Sequence, residues 1–394
     1  METITAKQVP AILEAALPFA PVFIHGPNGI GKTAVLNHHA RRVFKSVAIK
    51  KLQYEAKMGE RNAEVVAKLI EEIESLEPHQ IKLVDDVRLG NIDLLDLSGL
   101  PHVVDEQMKR AVGDFWPQRD PITGEKIWCI LYVDEFTQGG REKQTGFQQV
   151  QDTGSIGSFI LAGHKQSDPN CDHGLVLIVG SGNRQKDRAN SHGMGMQTGT
   201  RWTHFTMMPD LDSWLEWADT VGLNPLVTSF NKMMTVGGEP YLFRLDPAQK
   251  HEHPTAPTPR TWERLAHVLD AGLPTEIERP VIEGIVGEEA AVAFIAVKHA
   301  AQAVDVEQAL TDPVNATIPQ ETGHQFAAAS LLIRLANANN FGNIITYLSR
   351  IGEGGFTSPE ILVFVVEAIK RRQVELADTK EYRDFALQWA DIRS

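Results

Sequence analysis

The chain has 394 residues, 42% of them hydrophobic, and a formal net charge of −13. That length and apolar content suffice for two or three domains with buried cores, and the acidic balance opposes indiscriminate attraction to a polyanion while leaving room for a local basic strip. Two cysteines, Cys129 and Cys171, without C-x-x-C spacing indicate no disulfide framework. No apolar run reaches membrane-spanning length and the N-terminus lacks a basic leader, so a soluble cytoplasmic protein is expected.

Residues 3–17 are predicted as a first helix, with Ile4, Val9, Ile12, Leu13 and Leu17 on one side and Pro18 and Pro21 ending it. PVFIH at 21–25 reads as a short strand, and TAVLNHHARRVF from Thr33 has helical spacing. Between them Gly26, Pro27, Asn28, Gly29, Ile30, Gly31, Lys32 and Thr33 fit G-x-x-x-x-G-K-[ST] without a mismatch. A triphosphate needs many N–H donors at close range, and the three glycines let backbone curl around it. Lys32 is then expected to reach the β- and γ-phosphates, and Thr33 to place its hydroxyl on Mg²⁺.

SVAIKKLQ at 46–53 reads as a strand, in competition with IKLVDDVRLG at 81–90 for the second core strand. The stretch ERNAEVVAKLIEEIESLEP between them is predicted as a helix, with a stripe of Val65, Leu69, Ile73 and Leu76, a solvated charged face and a stop at Pro78. Residues 91–126 read as irregular at both ends, with turn signals at Ser98-Gly99, Pro101 and Pro121. IWCILYVDE at 127–135 is an almost unbroken apolar strand closed by two acids, as expected of a strand buried on both faces. Asp134 is expected to help hold Mg²⁺, and Glu135 to polarise a water against the γ-phosphorus.

REKQTGFQQVQDTG is predicted as a helix, SIGSFILAGH as a strand or hairpin arm, and LVLIVGSGNR at 175–184 as a second buried strand. Its terminal Asn183 is placed next to the strand carrying Asp134, where an amide orients water. After the glycine-rich NSHGMGMQTGT, Arg201 precedes a further strand, WTHFTMMP; it reads either as a cation for a neighbouring subunit's phosphates or as a surface ion pair. Beyond Pro209 the pattern is helical: LDSWLEWADTVG with Asp210 or Asp212 as cap, PLVTSFNKMM, and TWERLAHVLDAG capped by Thr258 or Thr261. His251, Glu252 and His253 lie in a polar, proline-rich stretch and read as linker rather than metal ligands. Helices are predicted to the C-terminus, without repeats or long heptads.

On these motifs the chain resembles the MoxR-like AAA+ ATPases, in particular a bacterial and phage branch. The discriminating parts are Asp96-Leu97-Ser98-Gly99-Leu100-Pro101, as D-L-x-G-L-P, and TPRTWERL with Pro259-Arg260-Thr261-Trp262; GNR at 182–184 is shared too. The resemblance spans nearly the whole chain. It implies an α/β P-loop NTPase core of three αβα layers with a parallel sheet at 1–209, carrying an insert at about 91–128 whose loops face a central pore. A helical lid at 210–276 and an all-helical extension at 277–394 follow. It further implies an ATP-hydrolysing, chaperone-like homo-hexamer that binds ATP or ADP with Mg²⁺, often beside a partner with a von Willebrand factor A domain. By family position Asn183 is sensor 1, Arg201 the arginine finger and Arg260 sensor 2. GTRW stands where N-R-F is usual, with Arg188 and Arg184 as the alternative fingers, and the 55–80 segment is longer than expected. The rival readings are a nucleic-acid motor or loader, to which Lys109, Arg110 and Arg119 point, and a scaffold that binds ATP and scarcely turns it over.

Overall fold

A computed structural model describes residues 2–113, 115–117, 125–156, 159–161, 169–184, 191–236, 239–244, 255–302, 305–320, 322–353 and 360–388. The chain falls into two compact units, 1–208 and 209–394. In the first, the described elements run β1 (Thr3–Ile4), α1 (Val9–Ala16), β2 (Val22–His25), α2 (Lys32–Lys57), α3 (Ala63–Ser75), β3 (Lys82–Arg88), α4 (Leu94–Ser98), β4 (Leu100–Val104), β5 (Gln107–Ala111), β6 (Ile127–Asp134), α5 (Arg141–Gly146), α6 (Gln148–Thr153), β7 (Ser155–Ile156), β8 (Phe159–Ile160), β9 (Gly174–Gly182), α7 (Met196–Gly199) and β10 (Thr203–Met207).

Six of these strands form one sheet in the order β1-β10-β2-β9-β6-β3, with every pairing parallel, which is the expected α/β architecture. Parallel strands cannot be joined by tight hairpins, so the chain must cross over between them, and α2 and α3 carry it from β2 to β3 at the far edge of the sheet. Strand β6 is internal and apolar on both faces. On one side Cys129, Leu131 and Val133 join a core with Phe23, Phe136, Phe147 and Trp202, while Ile130 and Tyr132 are buried on the other. Because β2, β9 and β6 lie side by side and run the same way, the loops leaving their carboxyl ends converge on one edge.

Several local expectations are corrected. Residues 46–53 are not a strand but belong to α2, because Val43, Phe44, Val47, Ala48 and Leu52 are buried at helical spacing; the second core strand is β3, paired to β6. Thr3 and Ile4 pair with Thr206 and Met207 as an edge strand, so the first α-helix begins only at Val9. The 141–154 segment is two short helices, α5 and α6, that meet at the buried Phe147. In α3 the buried stripe is Val66, Leu69 and Ile73, so Val66 takes the place foreseen for Val65. The 91–126 segment, expected to be irregular at both ends, contains α4 and the antiparallel hairpin β4–β5, turned by Asp105 and Glu106 at φ 51° and 61°.

The second unit comprises α8 (Leu211–Thr220), α9 (Pro225–Met233), β11 (Thr235–Val236), β12 (Glu239–Pro240), α10 (Pro259–Asp270), α11 (Glu278–Val286), α12 (Glu288–Gln302), α13 (Val306–Thr311), α14 (Thr322–Leu335), α15 (Phe341–Glu353), α16 (Glu360–Arg372) and α17 (Lys380–Gln388). Asp210 caps α8 by accepting from the Ser213 N–H at 2.9 Å, and Thr258 caps α10 by accepting from the Thr261 N–H at 3.2 Å, each cap contributing about 1 kcal/mol. Trp262 is buried against Phe230 and Phe294 and donates its indole N–H to the Tyr241 carbonyl at 3.0 Å. That core extends to Val297, and a second apolar cluster from Val306 to Phe385 is built on α13–α17. No helix of the described residues is long and apolar enough to cross a membrane. Arg119, Arg188 and the segment with His251, Glu252 and His253 lie outside the described residues.

Candidate functional site

The phosphate-loop motif occupies the turn between β2 and α2 and is closed against its neighbours. The Gly26 N–H donates to the Gly182 carbonyl of β9 at 3.2 Å, while Gly29 and Gly31 adopt left-handed backbone at φ 77° and 89°. Gly31 is the N-cap of α2 and offers no side chain, so the first-turn N–H groups of that helix have no side-chain cap. Open amides at the positive end of a helix form an anion site. Pro27 and Ile30 are buried under the loop and Asn28 is exposed.

Lys32 is nearly buried, at 9% exposure, and its ammonium is folded back on the loop. It donates to the carbonyls of Gly26 at 2.9 Å and Pro27 at 2.8 Å, and reaches Asn183 Oδ1 at 3.4 Å. Asn183 is itself buried just beyond β9, as expected from its place at the end of that strand. Thr33 Oγ1 donates to Asp134 Oδ2 at 3.3 Å across a sequence gap of 101 positions. Lys32, Thr33, Asp134 and Asn183, foreseen separately from sequence, are thus brought together.

Two residues at this centre went unforeseen. Tyr132 lies two positions before Asp134, so both point to the same face of β6. Ser181 follows Gly180, the β9 partner of Val133, and so falls beside Asp134 on that face. The Tyr132 hydroxyl is 2.7 Å from Ser181 Oγ, 3.1 Å from Asp134 Oδ1 and 3.3 Å from Thr33 Oγ1, and Ser181 Oγ donates to Asp134 Oδ1. Burial, with the Asp134 charge second, pushes the Tyr132 phenol far above its ordinary range, so it stays protonated. The available signal was a serine and a tyrosine hydroxyl inside otherwise apolar strands.

Glu135 follows directly, with φ 52°, an uncommon conformation for a residue with a side chain and one that concentrates at functional sites. Its N–H donates to Asp134 Oδ1 at 2.8 Å, while its carboxylate has no hydrogen-bond partner among the described residues. Arg201 donates from Nε to Asp152 Oδ1 at 2.6 Å and from Nη1 to the Gln197 carbonyl, so within the chain it is engaged in a partly exposed ion pair. Arg184 reaches Met208 Sδ at 3.5 Å. Arg260 belongs to the second unit, exposed in the first turn of α10. Of the basic insert residues, Lys109 is exposed and Arg110 donates to the Ser98 and Gly99 carbonyls.

The donor set fits a nucleotide with a hard divalent cation: uncapped amides and an ammonium for phosphate, and a hydroxyl beside a carboxylate for Mg²⁺, which takes oxygen ligands. No family model and no curated protein matches the chain. Among solved structures, NtrX from Brucella abortus aligns over 95% of this chain and 69% of its own at 17% identity and a TM-score of 0.35. A DNA polymerase III gamma subunit-related protein from Thermotoga maritima aligns over 99% and 98% at 9% identity and a TM-score of 0.24. Likenesses this low carry no argument, and the reading of the site rests on its own residues.

Proposed function

We propose that the chain is a Mg²⁺-dependent ATPase of the AAA+ class that works as a ring-shaped, chaperone-like remodeller of a protein partner. The observation that supports nucleotide chemistry is the approach of Thr33 to Asp134 at 3.3 Å beside a loop whose lysine is held on its own carbonyls. The MoxR-like assignment, with lid at 210–276, helical extension at 277–394, homo-hexamer and von Willebrand factor A partner, rests on the LSGLP and TPRTW motifs.

Bound ATP supplies the phosphoanhydride, and Mg²⁺ the charge that neutralises its phosphates. Thr33 and Asp134 would hold the metal, and Lys32 exchanges two loop carbonyls for phosphate oxygens. Glu135 is the base: its carboxylate is uncommitted, and at a strand end it accepts the proton of an attacking water. Asn183 orients that water by its amide. Arg201, released from Asp152, is the cation offered to a neighbouring subunit's site, and Arg260 is the family's sensor 2 position on the helical lid.

Mass photometry of the full chain with a non-hydrolysable ATP analogue tests the ring. Expected are assemblies of about six chains that are lost in Lys32→Ala. Monomers that nevertheless bind the analogue contradict the ring, and DNA-stimulated turnover at low salt favours the nucleic-acid motor instead.

A further inference from the structure

Counting protons around Asp134 gives its hydrogen-bond network a direction. Tyr132, Ser181 and Thr33 each carry one hydroxyl proton, and an ionised carboxylate only accepts. Thr33 donates to Oδ2 of Asp134, and Ser181 donates to Oδ1. The Tyr132 hydroxyl, 2.7 Å from Ser181 Oγ, donates to that serine. The Glu135 N–H at 2.8 Å gives Oδ1 a second donor. Each hydroxyl proton then has one acceptor, and both carboxylate oxygens are tied in place. Tyr132 and Ser181 are both 0% exposed, so solvent does not replace a lost hydroxyl.

We infer that Tyr132 and Ser181 are positioning residues, a two-hydroxyl relay that holds Asp134 in the orientation in which it and Thr33 take the divalent cation, and that they thereby set the affinity of the site for that cation. This rests on reading the site as one for a metal–nucleotide complex. Hydrogen-bond partners behind a ligating carboxylate fix its orientation, and removing one typically weakens metal binding about 10- to 100-fold. The phenol reaches the acid both through the serine, at 2.7 Å, and directly, at 3.1 Å from Asp134 Oδ1, so the two members share one network and their effects are not additive.

The test is a Mg²⁺ titration of fluorescent ATP-analogue binding by the full chain, beside the affinity for the same analogue in EDTA. In Ser181→Ala the half-saturating Mg²⁺ concentration is expected to rise about tenfold, and in Tyr132→Phe, which keeps the buried ring, by a smaller factor. Affinity in EDTA stays that of the wild type, and the double variant departs from the product of the two single effects. A Mg²⁺ midpoint unchanged in both single variants overturns the inference, even with a lowered melting temperature, which would mark a merely structural role. Should Tyr132→Phe fail to fold, Ser181→Ala decides by the same midpoint. Wild-type binding that ignores Mg²⁺ overturns the reading of the site itself, a different failure from a wild type that needs Mg²⁺ and variants that titrate like it.

Discussion

Gly26 and Gly31 stand in one loop, yet an added methyl fails at each for a different reason. At Gly26 a Cβ would lie 2.7 Å from the Met207 carbonyl oxygen and 2.7 Å from Ile30 Cδ1. The isoleucine tip can turn aside, but the carbonyl belongs to β10, pinned between β2 and β1 by the pairs His25 with Thr206 and Ile4 with Met207. The contact is about 0.6 Å short of an ordinary C···O approach, and overpacking of this kind costs about 1–3 kcal/mol. At Gly31 nothing lies within 4 Å, and the obstacle is φ 89°, which costs a side chain about 1–2 kcal/mol and asparagine least. A loss of 2 kcal/mol in a unit of 208 residues lowers its melting temperature by roughly 4–8 °C. Calorimetry of four variants separates the causes. Gly31→Asn should recover part of what Gly31→Ala loses, whereas Gly26→Asn should be worse than Gly26→Ala. Asparagine helping at both positions, or at neither, would refute this assignment of causes.

Further outcomes are expected at Cys129 and at the Arg201–Asp152 pair. Burial pushes the Cys129 thiol up to about 12, so native protein at neutral pH should be labelled at Cys171 and not at Cys129. In the unfolded chain that thiol ionises near pH 9, so the stability it confers is full below pH 9 and lost as pH rises toward 12; wild type should fall relative to Cys129→Ala by about 1.4 kcal/mol per pH unit there, and parallel curves would contradict this. Arg201 and Asp152 form a partly exposed pair, so Asp152→Ala should leave the melting temperature nearly unchanged. Arg201→Ala should cut ATP turnover by about 10³ or more without weakening nucleotide binding; weakened binding would place the arginine in its own subunit's site.

The sequence was most legible where chemistry is local. Gly26 to Thr33 declare the phosphate loop by spacing alone, and Asp134 and Glu135 were found because β6 is buried on both faces and ends abruptly in charge. Asn183 followed from the same logic applied to β9. The misread strand at 46–53 arose from a window that excluded Val43 and Phe44, the residues that reveal the helical period of Val47, Ala48 and Leu52. Tyr132 and Ser181 looked like incidental members of apolar runs, because their meeting depends on the register between β6 and β9, which no local pattern encodes. An ion pair was one of the two readings of Arg201, but its partner Asp152, 49 positions away on α6, was not legible because no local pattern links the two. The hairpin β4–β5 escaped because its strands are exposed at every position but Val104, so no alternation of buried and exposed residues announces them.

Phosphate release by the purified chain with ATP and Mg²⁺, measured for wild type and Glu135→Gln with ATP binding followed in parallel, bears most directly on the central claim. Expected is turnover by the wild type, with binding retained and turnover reduced about 100-fold or more in the variant. Equal turnover by the two proteins, or a wild type that binds ATP and releases no phosphate, would contradict it.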